Sequence, residues 1–177
     1  MRKKILYASL VFAILTIFNY ACQKENNKHQ QQELELSSEN KSVNAEIPPF
    51  NLEVILRGDD RRFGHVKFRQ NNDADKIITL ETWVRDLEPN HEYLLQRAVD
   101  AINMVDGNCT STTWLTLGKG LTAQSIITDE KGSGREELWR SVATLPSGSA
   151  FDIHFRVVDA VTMDVILVSD CYKYVVR

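Results

Sequence analysis

The chain has 177 residues, 24 Asp and Glu against 21 Lys and Arg, and a formal net charge of −3. An acidic balance without a polybasic patch argues against a nucleic-acid-binding surface and against docking on anionic lipid through the folded part. Three cysteines are an odd number, so one of them needs a role apart from pairing.

The N-terminus reads MRKK, then about sixteen mostly apolar residues, then Ala21-Cys22. A basic start, an apolar stretch and a small residue are the anatomy of a secretory signal peptide. A spanning helix needs roughly 20 apolar residues, and this run is shorter and carries Ser9, Thr16 and Asn19. Residues 1–21 are therefore expected to be removed. The segment Asn19-Tyr20-Ala21-Cys22 resembles the lipobox of bacterial lipoproteins, with Ala21 matching that pattern and Asn19 and Tyr20 departing from its usual Leu-Ala or Leu-Ser pair. The resemblance implies that Cys22 becomes the new N-terminus and carries the lipid, palmitate included. Gln23-Lys24-Glu25 follows, without the Asp that marks inner-membrane retention in that family, so the resemblance implies the outer membrane, on its periplasmic or cell-surface face. Cleavage would remove Arg2, Lys3 and Lys4 and no acid, taking the formal charge to −6.

Residues 23–46 have no aromatic residue and few aliphatic ones, too little apolar surface to offset the entropy of ordering. They read as a tether that would reach at most roughly 80 Å when extended. Residues 47–177 change to alternating apolar and polar residues and suit one domain. Strand patterns fall at residues 50–57, 64–70, 76–86, 91–100, 113–117, 125–129, 137–145, 150–159 and 165–177. They are separated by turn sequences such as GDDRRFG, QNNDADK, DLEPNH, GKG, DEKGSG and LPSGS. Many short strands with regular turns predict an all-β, single antiparallel β-sandwich. In FDIHFRVV, the residues Phe151, Ile153, Phe155 and Val157 share the expected core face, and Asp152, His154 and Arg156 the other. Asp159 is placed to cap the turn that follows.

With Cys22 assigned to the lipid, Cys109 and Cys171 remain as an even pair in an oxidising compartment, which predicts a disulfide between them. Histidines are sparse: His29 lies in the tether, His65 and His91 flank turns, and His154 is on an outward face. No HxH, HxxxH or CxxC spacing occurs, so solvated surface histidines are expected, with no metal ligand set and no cofactor; convergence of His65, His91 and His154 through the fold is the alternative. Asp59-Asp60 and Glu136-Glu137 are adjacent acids beside turns, and adjacent residues on a strand do not face one another across a cleft. DEKGSG lacks the spaced oxygen ligands of a calcium loop. No GxSxG elbow is present, and an enzyme is not expected.

The stretch Gly64-His65-Val66-Lys67-Phe68-Arg69-Gln70 is similar to the GxVxFxQ strand of copper/zinc superoxide dismutases. In the same order, Leu87-Glu88-Pro89-Asn90-His91 resembles the turn before that family's metal strand, and Gly107-Asn108-Cys109-Thr110-Ser111 its disulfide loop, with Cys171 on the last strand. The likeness runs loosely over residues 64–177 and implies a Greek-key sandwich, with an immunoglobulin-like one as the alternative. Where the family has its HxH ligands this chain has Leu94 and Gln96, and Val157-Val158-Asp159 replaces a later Val-Val-His. The family's chemistry therefore does not follow.

Trp83 and Trp114 sit out of phase with Ile78, Leu80 and Val84 and with Leu115 and Leu117 respectively, which puts both on outer faces. An outward Trp can stack on a sugar or anchor a protein. The competing reading packs each under a loop or at a sheet edge. The expected role is a lipid-anchored envelope lipoprotein whose non-catalytic sandwich serves binding or envelope interaction, with an envelope protein or a glycan as partner; glycan binding through Trp83 and Trp114 is the alternative, and a metal-dependent oxidoreductase the third.

Overall fold

A computed structural model describes residues 49–177. The signal peptide at 1–21, the lipidation site Cys22 and the tether up to residue 46 lie outside the described residues.

Period-two alternation builds the first wall. In β1 (Phe50–Arg57), Val54 and Leu56 are buried while Glu53 and Arg57 are exposed; in β2 (Phe63–Gln70), Val66 and Phe68 are buried; in β3 (Ile77–Arg85), Ile78, Leu80 and Val84 are. The three form an antiparallel meander in continuous register from Phe50↔Gln70↔Ile78 at one end to Arg57↔Phe63↔Arg85 at the other. The chain then crosses to β4 (Glu92–Val99).

Between β4 and the next long strand the chain runs through β5 (Leu115–Thr116), β6 (Gly118–Lys119), β7 (Thr122–Ala123) and β8 (Ser125–Ile127). It then turns into β9 (Gly134–Ser141), which pairs with β3, and crosses back to β10 (Ala150–Asp159), which pairs with β4. Finally β11 (Val165–Ser169) pairs with β10 and β1, and β12 (Tyr172–Val175) pairs with β10. The spatial order β10-β4-β8-β9, with the fourth strand returning beside the first, is a Greek-key path.

The all-β class expected from the alternation is what the structure has, and the described residues contain no helix. Its strands form one nearly closed, barrel-like sheet. On one side β1 and β11 join the walls. On the other, residues 115–119 change partner midway: β5 pairs with β4, the Leu117 amide donates to the Leu95 carbonyl at 2.8 Å, and β6 runs parallel to β9. Gly118 permits this crossing, because a Cβ there would lie 1.8 Å from the Thr122 carbonyl oxygen. Beside it β8 pairs with β4 and reaches β9 through a Thr128↔Gly134 bridge.

The strand expected at residues 113–117 is only Leu115–Thr116, β6 and β7 were not expected, and two longer assignments also differ from expectation. The strand read at residues 137–145 lies at Gly134–Ser141, because Asp129 closes a tighter turn than DEKGSG suggests. Farther on, the Val142 amide still donates to the Lys76 carbonyl in register with β3, and the chain then turns, the Leu145 amide donating to the Val142 carbonyl at 2.9 Å. The last strand, expected to be continuous from Val165, breaks at Asp170-Cys171. There the Ser169 hydroxyl takes the Phe155 amide at 2.9 Å and itself donates to the Asp170 carbonyl, so the ladder is interrupted.

Phe151, Ile153, Phe155 and Val157 face the core as expected. Phe68, Phe151 and Phe50 each meet Tyr174 edge-on at centroid distances of 5.0 to 5.1 Å. Burial raises the Tyr174 hydroxyl above its ordinary pKa, and it donates to Gln70 Oε1 at 2.7 Å. That oxygen also accepts from the Arg177 amide at 2.9 Å, which ties the end of the chain to β2.

Candidate functional site

The outer face of β2, β3 and β9 carries an open groove of about 840 Å³. Trp83 lies in it because it occupies the outward phase of β3, opposite His65 on β2 and Arg135 on β9. Its ring is 47% exposed, and Ile127, 62% exposed, supplies a second apolar surface. Polar side chains line the rest. His65 Nε2 meets Glu53 at 2.6 Å, Glu53 also takes Arg69 at 3.2 Å, and Glu81 is bracketed by Lys67 at 3.7 Å and by Arg135.

The wall opposite the sheet is the β8–β9 turn. Asp129 Oδ1 accepts the Lys131 and Ser133 amides at 2.8 and 2.9 Å, and these donors, Ser133 foremost, hold its carboxyl below the ordinary carboxylate range. Gly132 adopts φ of 74°, and a Cβ there would sit 2.1 Å from the Leu87 carbonyl oxygen. The Thr128 hydroxyl donates to Glu88 at 2.6 Å and accepts the His91 amide at 3.0 Å. A fixed wall, a flat apolar ring and flanking charged donors and acceptors suit a ligand that is apolar on one face and hydroxylated at its rim.

No family model, curated protein or solved structure matches the chain. Its site is therefore read from its own chemistry.

Trp114 is also on the outer surface but in a different setting. Its partners His154 and Arg156 are on β10, and along the sheet three strands, β11, β1 and β2, lie between β10 and the β3 strand that carries Trp83. Its ring lies 4.1 Å from the Arg156 guanidinium carbon and 4.7 Å from the His154 ring. His154 Nε2 meets the Ser111 carbonyl at 3.0 Å, Arg156 Nε donates to Gln96 Oε1 at 2.8 Å, and Gln96 Nε2 donates to Thr116 at 3.0 Å. Trp114 is thus half-buried within a bonded cluster, and the two tryptophans form no common platform. Trp139 is 40% exposed and packs on Gly120.

The histidines stand apart. His65 belongs to the groove, His154 to the Trp114 cluster, and His91 Nε2 meets Asp159 Oδ2 at 2.5 Å. Asp159 caps its turn as expected, accepting the Val161 and Thr162 amides at 2.7 and 2.9 Å, and these bonds, Thr162 first, lower its pKa with help from His91. Among the described residues no group of three or more His, Cys, Asp or Glu is placed to hold a metal. Asp59 and Asp60 lie in an exposed turn. Glu136 and Glu137 point to opposite sides of β9, Glu136 meeting Lys119 at 2.8 Å.

Cys109 and Cys171 are bonded, S–S 2.10 Å with Cα atoms 5.4 Å apart, joining the loop after β4 to the break between β11 and β12. Sequence reasoning missed Asp152, which shares the outward phase of β10 yet is 1% exposed. The same loop covers it, and its Oδ2 accepts the Asp106 and Gly107 amides at 2.9 and 2.8 Å. It missed Arg97 too, although Tyr93, Leu95, Arg97 and Val99 form one inward phase in which the cation is the odd member.

Proposed function

We propose that this protein is a non-catalytic binding module of the bacterial cell envelope, tethered at the outer membrane through a lipid on Cys22, with the Trp83 groove as its ligand face. The observation that carries this reading is the half-exposed Trp83 ring set among His65, Lys67, Glu81 and Arg135. The ligand class it suits best is a glycan, whose ring face stacks on indole while its hydroxyls reach charged neighbours. An envelope protein anchored on Trp83 and Ile127 is the second reading, favoured by the 62% exposure of Ile127. The Cys109–Cys171 bond supports an oxidising compartment.

We read the nearly closed sheet as a flattened antiparallel sandwich of the immunoglobulin-like or superoxide-dismutase-like kind, a reading supported by the Greek-key order β10-β4-β8-β9. The oxidoreductase reading gains no support from the side chains. Leu94 cannot coordinate a metal, Gln96 is engaged by Arg156 and Thr116, and Asp159 by His91 and its own turn.

Titrating the protein with a glycan panel while following tryptophan fluorescence tests the groove. A saturable change is expected for at least one glycan, with affinity falling about tenfold or more in Trp83→Ala and little in Trp114→Ala. Equal affinities in Trp83→Ala and the parent would remove the groove from the reading. Cell fractionation tests the anchor: Cys22→Ser should leave the membrane fraction as a folded protein.

A further inference from the structure

The Trp83 groove lies toward the Arg57↔Phe63↔Arg85 end of the meander. At the other end the barrel interior is not filled: a cavity of about 230 Å³ opens there, walled by Ile78, Leu80, Phe151 and Phe155 and rimmed by Ile102 and Leu145. At ~30 Å³ for a water-sized group, it has room for about eight such groups. Two cations enter this apolar space. Arg97 continues the inward phase of β4 opposite Phe155, and Arg140 the inward phase of β9 opposite Ile78.

Neither guanidinium makes a hydrogen bond or ion pair with another side chain among the described residues. The carboxylate in the lining, Asp100, is already taken, accepting the Thr110 amide at 3.0 Å, the Ser111 amide at 2.7 Å and the Thr110 hydroxyl. Burial, and then repulsion from Arg140, lowers the pKa of Arg97. A desolvated Arg97 with a second cation nearby opposes folding unless something negative meets the pair. A chain seeking only a filled barrel end would place Leu or Met at both positions.

We propose that this end of the barrel is a second binding site, for a free carboxylic acid with an acyl chain of medium length: the chain lies against Ile78, Leu80, Phe151 and Phe155, and the carboxylate meets Arg97 and Arg140. Charge complementarity selects the head group, and the cavity volume limits the tail. The site is separate from the Trp83 groove and does not depend on its function.

The experiment is calorimetric titration of the full chain with sodium octanoate, octan-1-ol and octylammonium chloride. Octanoate should bind saturably at one site, octanol about tenfold or more weakly, and octylammonium not measurably. Arg97→Met and Arg140→Met should each weaken octanoate about tenfold while leaving the thermal midpoint equal or higher, since each removes an unpaired charge from an apolar wall. Trp83→Ala should leave octanoate binding unchanged. Octanol binding as tightly as octanoate, no saturable octanoate binding, or unchanged octanoate affinity in both arginine variants would overturn the proposal. If Arg97→Met fails to fold, Arg140→Met at the other strand decides it alone.

Discussion

Replacing Cys109 and Cys171 together by Ser gives a perturbation whose size follows from the connectivity. The bond spans 62 residues, and loop-closure entropy for a ring of that length corresponds to about 4 kcal/mol. Little of this should appear as native distortion, because the loop has other holds: Asp100 accepts Thr110 and Ser111, Asp152 accepts Asp106 and Gly107, and the Asn103 amide donates to Ala150 at 2.6 Å. The loss therefore belongs mainly to the unfolded chain, which gains freedom once the ring is open. With a urea dependence of about 2 kcal/mol per molar, the unfolding midpoint should fall by about 2 M while near-ultraviolet dichroism stays unchanged in buffer. A midpoint shift below about 0.5 M, or a native spectrum already altered without urea, would refute the assignment of the effect to the unfolded state.

Asp152→Ala should be costly for a different reason. It strands the Asp106 and Gly107 amides beneath the loop, and stability measured by urea should fall by about 2–4 kcal/mol with the disulfide intact. Acid should act through Asp100, Asp129 and Asp159, whose pKa values are lowered chiefly by amides of Thr110, Ser133 and Thr162 respectively. Because the folded values are depressed, their contribution is full above the unfolded carboxylate value of about 3.9 and is lost as pH falls through the folded values. The urea midpoint should hold near neutrality and decline below about pH 4; a midpoint as high at pH 3 as at pH 6 would exclude this.

Local alternation was enough to read β1, β10 and the inward face of β3, because a half-buried strand writes its burial directly into neighbouring residues. The disulfide followed from parity and compartment, without any knowledge of geometry. Closure of the sheet was not legible, since it depends on residues 115–119 exchanging β4 for β9 midway, and partner exchange leaves no period in the sequence. The break at Ser169 was hidden for a similar reason: VILVSDCYKYVV is rich in β-branched and aromatic residues throughout, and a hydroxyl replaces a ladder bond only once Phe155 is opposite it. Trp83 and Trp114 had the same sequence signature, an indole out of phase with aliphatic neighbours. What separates them is nonlocal, namely that Arg156 and His154 from β10 reach one ring and that the β8–β9 turn stands clear of the other. Arg97 was legible in principle, as a cation in the phase of Tyr93, Leu95 and Val99.

The continuous register of the first three strands determines how the domain carries load. Whatever precedes residue 49 joins at Phe50, at one end of β1, whereas Trp83 lies toward the opposite end of β3, with β2 between them. Tension between the start of the domain and a ligand held at Trp83 would draw β1 and β3 in opposite directions along their own axes. The Phe50–Arg57 and Ile77–Arg85 ladders to β2 would then be sheared with their hydrogen bonds loaded in parallel, and not opened one after another from an end. On the proposed reading, in which the domain is anchored at its start and binds at Trp83, this arrangement would spread a pull over the length of the three strands.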